Sequence, residues 1–253
     1  MTVNKIYFMP AGFCKLNSKI FDTHATGKTF VTAPVWSYLL DTTDGPILID
    51  TGMPNSCIDD PEGLFRGTED EAQIVPIMHA NDQITSLLAV AGYSRDDIAC
   101  VISSHWHFDH AGGNSLFPKC DIIVQRKEYD AGMTQPNYFD CCRLPTLHYR
   151  CVDGDSELAP GIMLLATPGH TLGHQSVLIR DAKGKTLLLT IDAAYCRANF
   201  DQHIPFAVKD QREAALSIER LQNIASEEQA VVFFGHDPIQ GLEWPKLPRA
   251  FQL

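Results

Sequence analysis

Several things are missing from this sequence, and each absence removes a class of function. No apolar run approaches the roughly 20 residues a membrane-spanning helix needs. The opening stretch, MTVNKIYFMPAGF, lacks a basic segment followed by an apolar one, so no secretory leader is expected and a cytoplasmic location is. Basic residues are scarce: 20 Lys and Arg stand against 31 Asp and Glu, a net charge of −11. Such a surface repels polyanions, so neither nucleic acid nor an anionic membrane is expected as a partner, while a small neutral molecule is unaffected. Eight cysteines are present but no C-x-x-C pair, and reduced thiols are expected rather than disulfides or thiolate metal ligands. Repeats, low-complexity tracts and long linkers are absent, so residues 1–253 are expected to form one domain.

What is present is enough apolar material, 45% of the chain, for a sizeable core. Short branched runs bounded by turn residues recur, among them VWSYLLD, GPILIDTG, ACVISSH, CDIIVQR, GIMLLATPGH, HQSVLIRD, KTLLLTID and AVVFFGHD. Their length and composition predict strands, several buried on both faces. Helical spacing appears at 81–93, with Asn81 or Asp82 as the cap, and at 210–228, where apolar residues recur at i, i+4 and i+7. Residues 55–73 and 134–145 read as irregular, and the polar, aromatic-spiked segment 15–33 as a flap over a cleft. The class is α/β, two sheets flanked by helices. Four predicted strands each end just before a potential ligand: His105, His170, Asp192 and His236. Rigid sheets commonly hold functional groups on the loops at their ends.

The densest chemistry is SSHWHFDHAGG at 103–113. Imidazoles and carboxylates are costly to bury without partners, so packing does not account for the crowding. His105 and His107, two apart, point to one side of an extended segment. Trp106 and Phe108 point the other way or lie over the site, and Asp109 and His110 follow where paired glycines permit a turn. His170 would complete a three-histidine site with His105 and His107. His236 would join Asp109 and His110 at a second, and Asp192 can reach both. Nitrogen and carboxylate donors without thiolate suit Zn²⁺ best, with Fe, Mn or Co as alternatives. Fewer than four protein ligands on one ion, plus a bridge, leaves room for a water or hydroxide, the mark of a catalytic site.

This pattern, H-x-H-x-D-H followed by TPGHTLGH, the strand-end Asp192 and FFGHD, resembles the metallo-β-lactamase-fold hydrolases over nearly the whole chain. The stretches PVWSYLLDTTDGPILIDTGMP, SSHWHFDHAGGN, TPGHTLGHQS, LLLTIDAAY and PFA are most similar to the N-acyl homoserine lactone lactonases, the quorum-quenching branch. The resemblance implies a four-layer αβ/βα sandwich and two zinc ions. It implies that His105, His107 and His170 hold one ion, that Asp109, His110 and His236 hold the other, and that Asp192 bridges them. A hydroxide between the ions would attack the lactone carbonyl, with Asp109 relaying a proton to the leaving alkoxide. Tyr195 matches the tyrosine such lactonases place beside the metals, and Phe65 an aromatic beside their acyl-chain cleft. Phe108 and Ala207 are further pocket residues. Glu69 stands where some relatives carry a second aromatic. His174 is expected to be a hydrogen-bonded supporting residue, and His24, His79, His148 and His203 surface residues.

Other chemistries share these ligands, and fold alone does not choose among them. A glyoxalase-II-like thioester hydrolase, or another small-ester hydrolase, is the nearest alternative, although no cluster of basic residues is seen near the motifs. A β-lactamase would carry cysteine or serine in place of Asp192, and a di-iron relative glutamate in place of His107. A protein that binds a lactone without turning it over ranks last, because no ligand is missing.

Overall fold

The structure, a computed structural model, describes residues 2–22, 24–181, 183–202 and 208–251. His203 and Ala207 lie outside them. Strands β1 (Val3–Asn17), β2 (Phe30–Thr42), β3 (Ile47–Ile49), β4 (Ile74–Ile77), β5 (Cys100–Ile102), β6 (Asp121–Gln125) and β7 (His148–Val152) form a seven-stranded sheet in the order 4-1-2-3-5-6-7. Strands β8 (Ser156–Ala159), β9 (Ile162–Ala166), β10 (Gln175–Arg180), β11 (Thr186–Ile191) and β12 (Val231–Phe234) form a five-stranded sheet in the order 12-11-10-9-8.

Period-two alternation builds the layers. Ile6, Phe8, Tyr38, Leu40, Ile102 and Ile123 on the first sheet face Leu164, Val177, Leu187, Leu189 and Phe233 on the second, making the inter-sheet core. Their sequence neighbours Tyr7, Met9, Leu39 and Val101 turn outward into another core, under α3 (Ile84–Ala91) and α5 (Arg126–Thr134). Leu165, Leu178 and Leu188 turn outward on the second sheet, onto α7 (Gln211–Glu227). This is the expected four-layer sandwich. Each fully buried aliphatic side chain contributes about 1.5–3 kcal/mol, so three cores of this kind dominate the stability.

Helix α7 follows its sequence pattern: Ala214, Ile218 and Leu221 are buried, and the Asp210 carboxylate caps it by accepting from Glu213 N–H at 3.0 Å. Helix α3 starts later than expected, at Ile84. Asp82 instead closes a 3₁₀ turn over Ala80–Asp82, its carboxylate accepting from His79 N–H at 2.8 Å, and Asn81 lies within that turn. The short strands β4, β7 and β8 escaped the sequence pattern because none is an unbroken apolar run: Pro interrupts the first, and charged residues the others.

The flap expected over 15–33 is part strand, part helix: Asn17 ends β1, α1 (Ser18–Phe21) follows, and β2 begins at Phe30. The segment does border the cleft, because Leu16 and Ile20 line it.

Candidate metal centre

The C-terminal ends of β3, β5, β9, β11 and β12 converge, and the loops beyond them carry the polar cluster. His105 follows β5, His170 follows β9, Asp192 follows β11 and His236 follows β12. His107 precedes the one-turn helix α4 (Phe108–Ala111), which carries Asp109 and His110. Gly112 and Gly113 behind it have ordinary negative φ, so they are not needed for a left-handed turn as their pairing suggested. They are needed for space. A Cβ on Gly112 would strike Phe108 O and Pro54, and one on Gly113 would lie 2.5 Å from Thr51 O.

Two groups of donors result: His105, His107, His170 and Asp192, and then Asp109, His110 and His236. In the first, His105 Nε2, His107 Nδ1 and His170 Nε2 lie 2.9–3.2 Å apart. Asp192 Oδ2 is 3.2 Å from His170 Nε2 and 3.6 Å from His105 Nε2. In the second, Asp109 Oδ2 is 3.7 Å from His110 Nε2 and 3.6 Å from His236 Nε2. Asp192 presents its other oxygen there: Oδ1 is 3.3 Å from His110 Nε2 and 3.1 Å from His236 Nε2. One carboxylate thus faces both groups: Oδ1 is turned to the second group alone, while Oδ2 reaches the first and also lies 3.3 Å from His236 Nε2.

The donors fit metal ions. Ligands at about 2.0–2.1 Å around a tetrahedral zinc stand roughly 3.3 Å from one another, the spacing found here. His110 Nε2 and Asp192 Oδ1 are fully buried and form no hydrogen bond among the described residues, an arrangement expensive for any purpose but ligation. The ring nitrogens on the far side are engaged. His110 Nδ1 is 2.8 Å from Asp50 Oδ2, His236 Nδ1 is 2.8 Å from Pro34 O, and His105 Nδ1 is 3.0 Å from Ser104 Oγ. Ser104 Oγ in turn donates to Asp50 at 2.7 Å. Such contacts fix the tautomer and turn the free lone pair inward.

The electrostatics agree. Burial and the neighbouring imidazoles hold His105 and His107 well below the usual histidine range, so both are neutral and can donate a lone pair. Burial also disfavours charge on His110 and His236, yet Asp192 and Asp109 outweigh it and raise both. For Asp192 itself, burial is overcome by His236, His110 and His170, which hold it well below the carboxylate range. A site whose carboxylates draw positive charge inward is one suited to a cation.

Phe65, Phe108 and Tyr195 line a cavity of about 650 Å³ together with His107, Asp109, His170, Asp192 and His236. Tyr195 is buried, its hydroxyl 3.5 Å from His170 Nδ1, and burial followed by Asp192 and Asp109 pushes its pKa well up. Phe65 meets Phe108 and Phe139 edge-on at 5.0 and 5.3 Å. Glu69 also lines this cavity. Trp106 points away from it, against Tyr129 and Tyr149. His174 lies behind the donors, and His24, His79 and His148 are exposed. All eight cysteines are free thiols.

Three residues that support or border the site went unassigned in the sequence. Asp50, at the end of β3, holds Ser104 and His110. Its φ of +58° is uncommon for a non-glycine residue; Ile191, just before Asp192, has φ +50°, rarer still for a β-branched one. Each such residue costs about 1–3 kcal/mol, and here the strained residues flank or carry the donors. Glu128 on α5 is buried and accepts from Trp106 N–H, Thr171 Oγ–H and Gly173 N–H at 2.7–2.9 Å, tying the two histidine loops together. Lys209 is the one Lys or Arg among the described residues lining the cavity. A lone acidic or basic residue without ligand spacing around it carried no signal; only Asp50, in LIDTG after a clear strand, could have been found from its strand-end position.

A family model described as the metallo-beta-lactamase superfamily matches residues 31–236, and the chain belongs to that superfamily. Within it, the chain is 49% identical over 237 residues to an N-acyl homoserine lactonase of Bacillus sp., an alignment spanning 94% of each chain. It also superposes with a TM-score of 0.95, at 46% identity over 99% of this chain and 100% of the other, on an N-acyl homoserine lactone hydrolase carrying its product N-hexanoyl-L-homoserine at the catalytic metal centre. A point variant of Bacillus thuringiensis AiiA with N-decanoyl-L-homoserine bound at its active site matches equally well, with the same TM-score, identity and coverage.

Proposed function

We propose that the chain is a single-domain, cytoplasmic dinuclear zinc hydrolase that opens the lactone ring of N-acyl homoserine lactones. The observation that carries the reading is Asp192, whose two oxygens face two separate donor groups at 3.1–3.6 Å. The likeness to lactonases, one with the ring-opened product at its metal centre, supports the substrate.

His105, His107 and His170 would hold one ion and Asp109, His110 and His236 the other. When bound, the two ions would polarise the lactone carbonyl and lower the pKa of water to the neutral range. The chain's own groups do the rest. Tyr195 stays protonated because burial and two carboxylates oppose its ionisation, so its hydroxyl donates to the carbonyl oxygen as that oxygen gains negative charge. Asp109 takes a proton from the attacking water and delivers it to the ring oxygen, a role supported by its membership of the donor cluster and its position in the cavity wall. The acyl C–O bond breaks and an N-acyl homoserine leaves. Phe65 and Phe108 give the acyl chain an apolar wall.

Hydrolysis in ¹⁸O-labelled water tests the bond broken. Label in the product carboxylate, with none in the hydroxyl, is expected; label in the hydroxyl would contradict attack at the carbonyl. A glyoxalase-II-like thioester hydrolase remains the second reading, favoured by Lys209, whose ammonium could hold an acidic leaving group. Faster turnover of a glutathione thioester than of any lactone would select it.

A further inference from the structure

A second cavity, of about 280 Å³, abuts the first, and two residues, Phe65 and Ile74, line both. We infer that this second cavity is an extension of the acyl-chain site, closed off by Phe65 and Ile74, and that it receives the distal end of long, unbranched acyl chains. The inference rests on the lactonase reading.

The partition has a fixed side and a yielding side. Phe65 is buried, with its ring held edge-on by Phe108 and Phe139, both of which line only the first cavity. Beyond it the second cavity offers Phe30, Ala72 and Val75, and among the described residues no aromatic ring meets Phe65 edge-on from that side. Phe65 itself belongs to the turn-rich run between α2 (Ser56–Asp59) and β4, outside any helix or strand, so its backbone is not held by a ladder. Ile74 is half-buried at the start of β4, an edge strand that pairs only with β1. A chain end pushing past the metal-side wall therefore meets a turn residue and an edge-strand residue rather than the interior of a sheet.

The chemistry of the second cavity fits an alkyl terminus. Its apolar wall is made by Phe30, Phe65, Ile74 and Val75. Lys15 contributes its stem while its ammonium sits 4.9 Å over the Phe30 ring. Glu62 and Glu71 mark the solvent edge, and Glu71 is occupied in accepting from Gly67 N–H at 3.0 Å. Each methylene moved from water into such a wall strengthens binding roughly fourfold. Two or three methylenes reaching the second cavity should therefore change kcat/KM at least tenfold relative to a chain too short to reach it.

The test compares kcat/KM for N-dodecanoyl- and N-hexanoyl-L-homoserine lactone, read as their ratio. Val75 and Phe30 line only the second cavity. Val75→Trp fills it from a strand position that accepts an aromatic. Phe30→Glu, at a site already 42% exposed, places a charge in it without disturbing a core. We expect the dodecanoyl-to-hexanoyl ratio to fall about tenfold in each, and to rise in Phe65→Ala, which merges the cavities. A ratio within twofold of wild type in folded Phe30→Glu overturns the inference while hexanoyl turnover leaves the lactonase reading intact. Turnover of neither lactone by the metal-loaded wild type overturns both.

Discussion

The backbone N–H of Asp192 donates to Nε2 of His174 at 3.1 Å, so the residue that faces both donor groups is held in place by a neutral imidazole. Nε2 must be the acceptor, which puts the ring proton on Nδ1, where Thr167 Oγ1 and O lie at 2.8 and 3.2 Å. Burial and the nearby His170 push the His174 pKa down to about 3.

The sign of the linkage follows. The unfolded chain takes up a proton on this histidine below about pH 6.5, whereas the folded chain does not until about pH 3. Stability from this group is therefore complete above pH 6.5 and is lost as pH falls toward 3. We expect urea unfolding at pH 4.5 to show wild type weaker than at pH 7 by about 2–3 kcal/mol more than His174→Gln shows. Parallel losses in both proteins would contradict the assignment.

Glu128 joins the loop after β5 to the loop after β9, and removing it leaves three donors buried without an acceptor. Glu128→Ala is expected to lose ~3 kcal/mol or more. The same change should loosen the histidines those loops carry, so metal retained after gel filtration should fall as well. A thermal melt and metal analysis of one preparation read both effects.

Tyr195→Phe removes one hydrogen-bond donor and little volume. The expected result is a kcat about 10- to 100-fold lower with a small change in KM, the signature of an interaction made in the transition state. Because burial and two carboxylates raise the phenol's pKa, no fall in rate from Tyr195 ionisation is expected up to about pH 10. A change in KM alone would assign the residue to substrate binding.

Metal stoichiometry separates the two donor groups. Wild type is expected to hold two ions per chain, and Asp192→Asn, which weakens one oxygen's donation, to hold fewer. Chelation should lower the melting temperature of wild type, since an ion bound only by the folded state stabilises it. One ion per chain in fully loaded wild type would contradict the dinuclear reading.

Much of this was legible in the residues because the chemistry is local. Three histidines and an aspartate lie within 105–110, and each distant donor follows a strand whose branched, apolar run is unmistakable. What stayed hidden depends on contacts between segments. Asp50 orients His110 from sixty residues away, and Glu128 looks in sequence like any acidic residue on a polar helix. The glycines of AGGN suggested a turn by conformation, while the fold uses them for clearance against Pro54 and Thr51, which only tertiary packing reveals. Helix α3 lost its first turn because Asp82 caps a tighter one, a competition between two good local solutions. Ala207 in the expected pocket lies outside the described residues.

The most direct measurement is base consumption at constant pH by the zinc-loaded protein acting on N-hexanoyl-L-homoserine lactone, run beside Asp109→Asn. Ring opening releases a carboxylic acid, so each turnover consumes one equivalent of base. The expected result is rapid, stoichiometric acid release by wild type and its loss, by 100-fold or so, in the variant. No acid release from fully metallated wild type would contradict lactone hydrolysis at this centre.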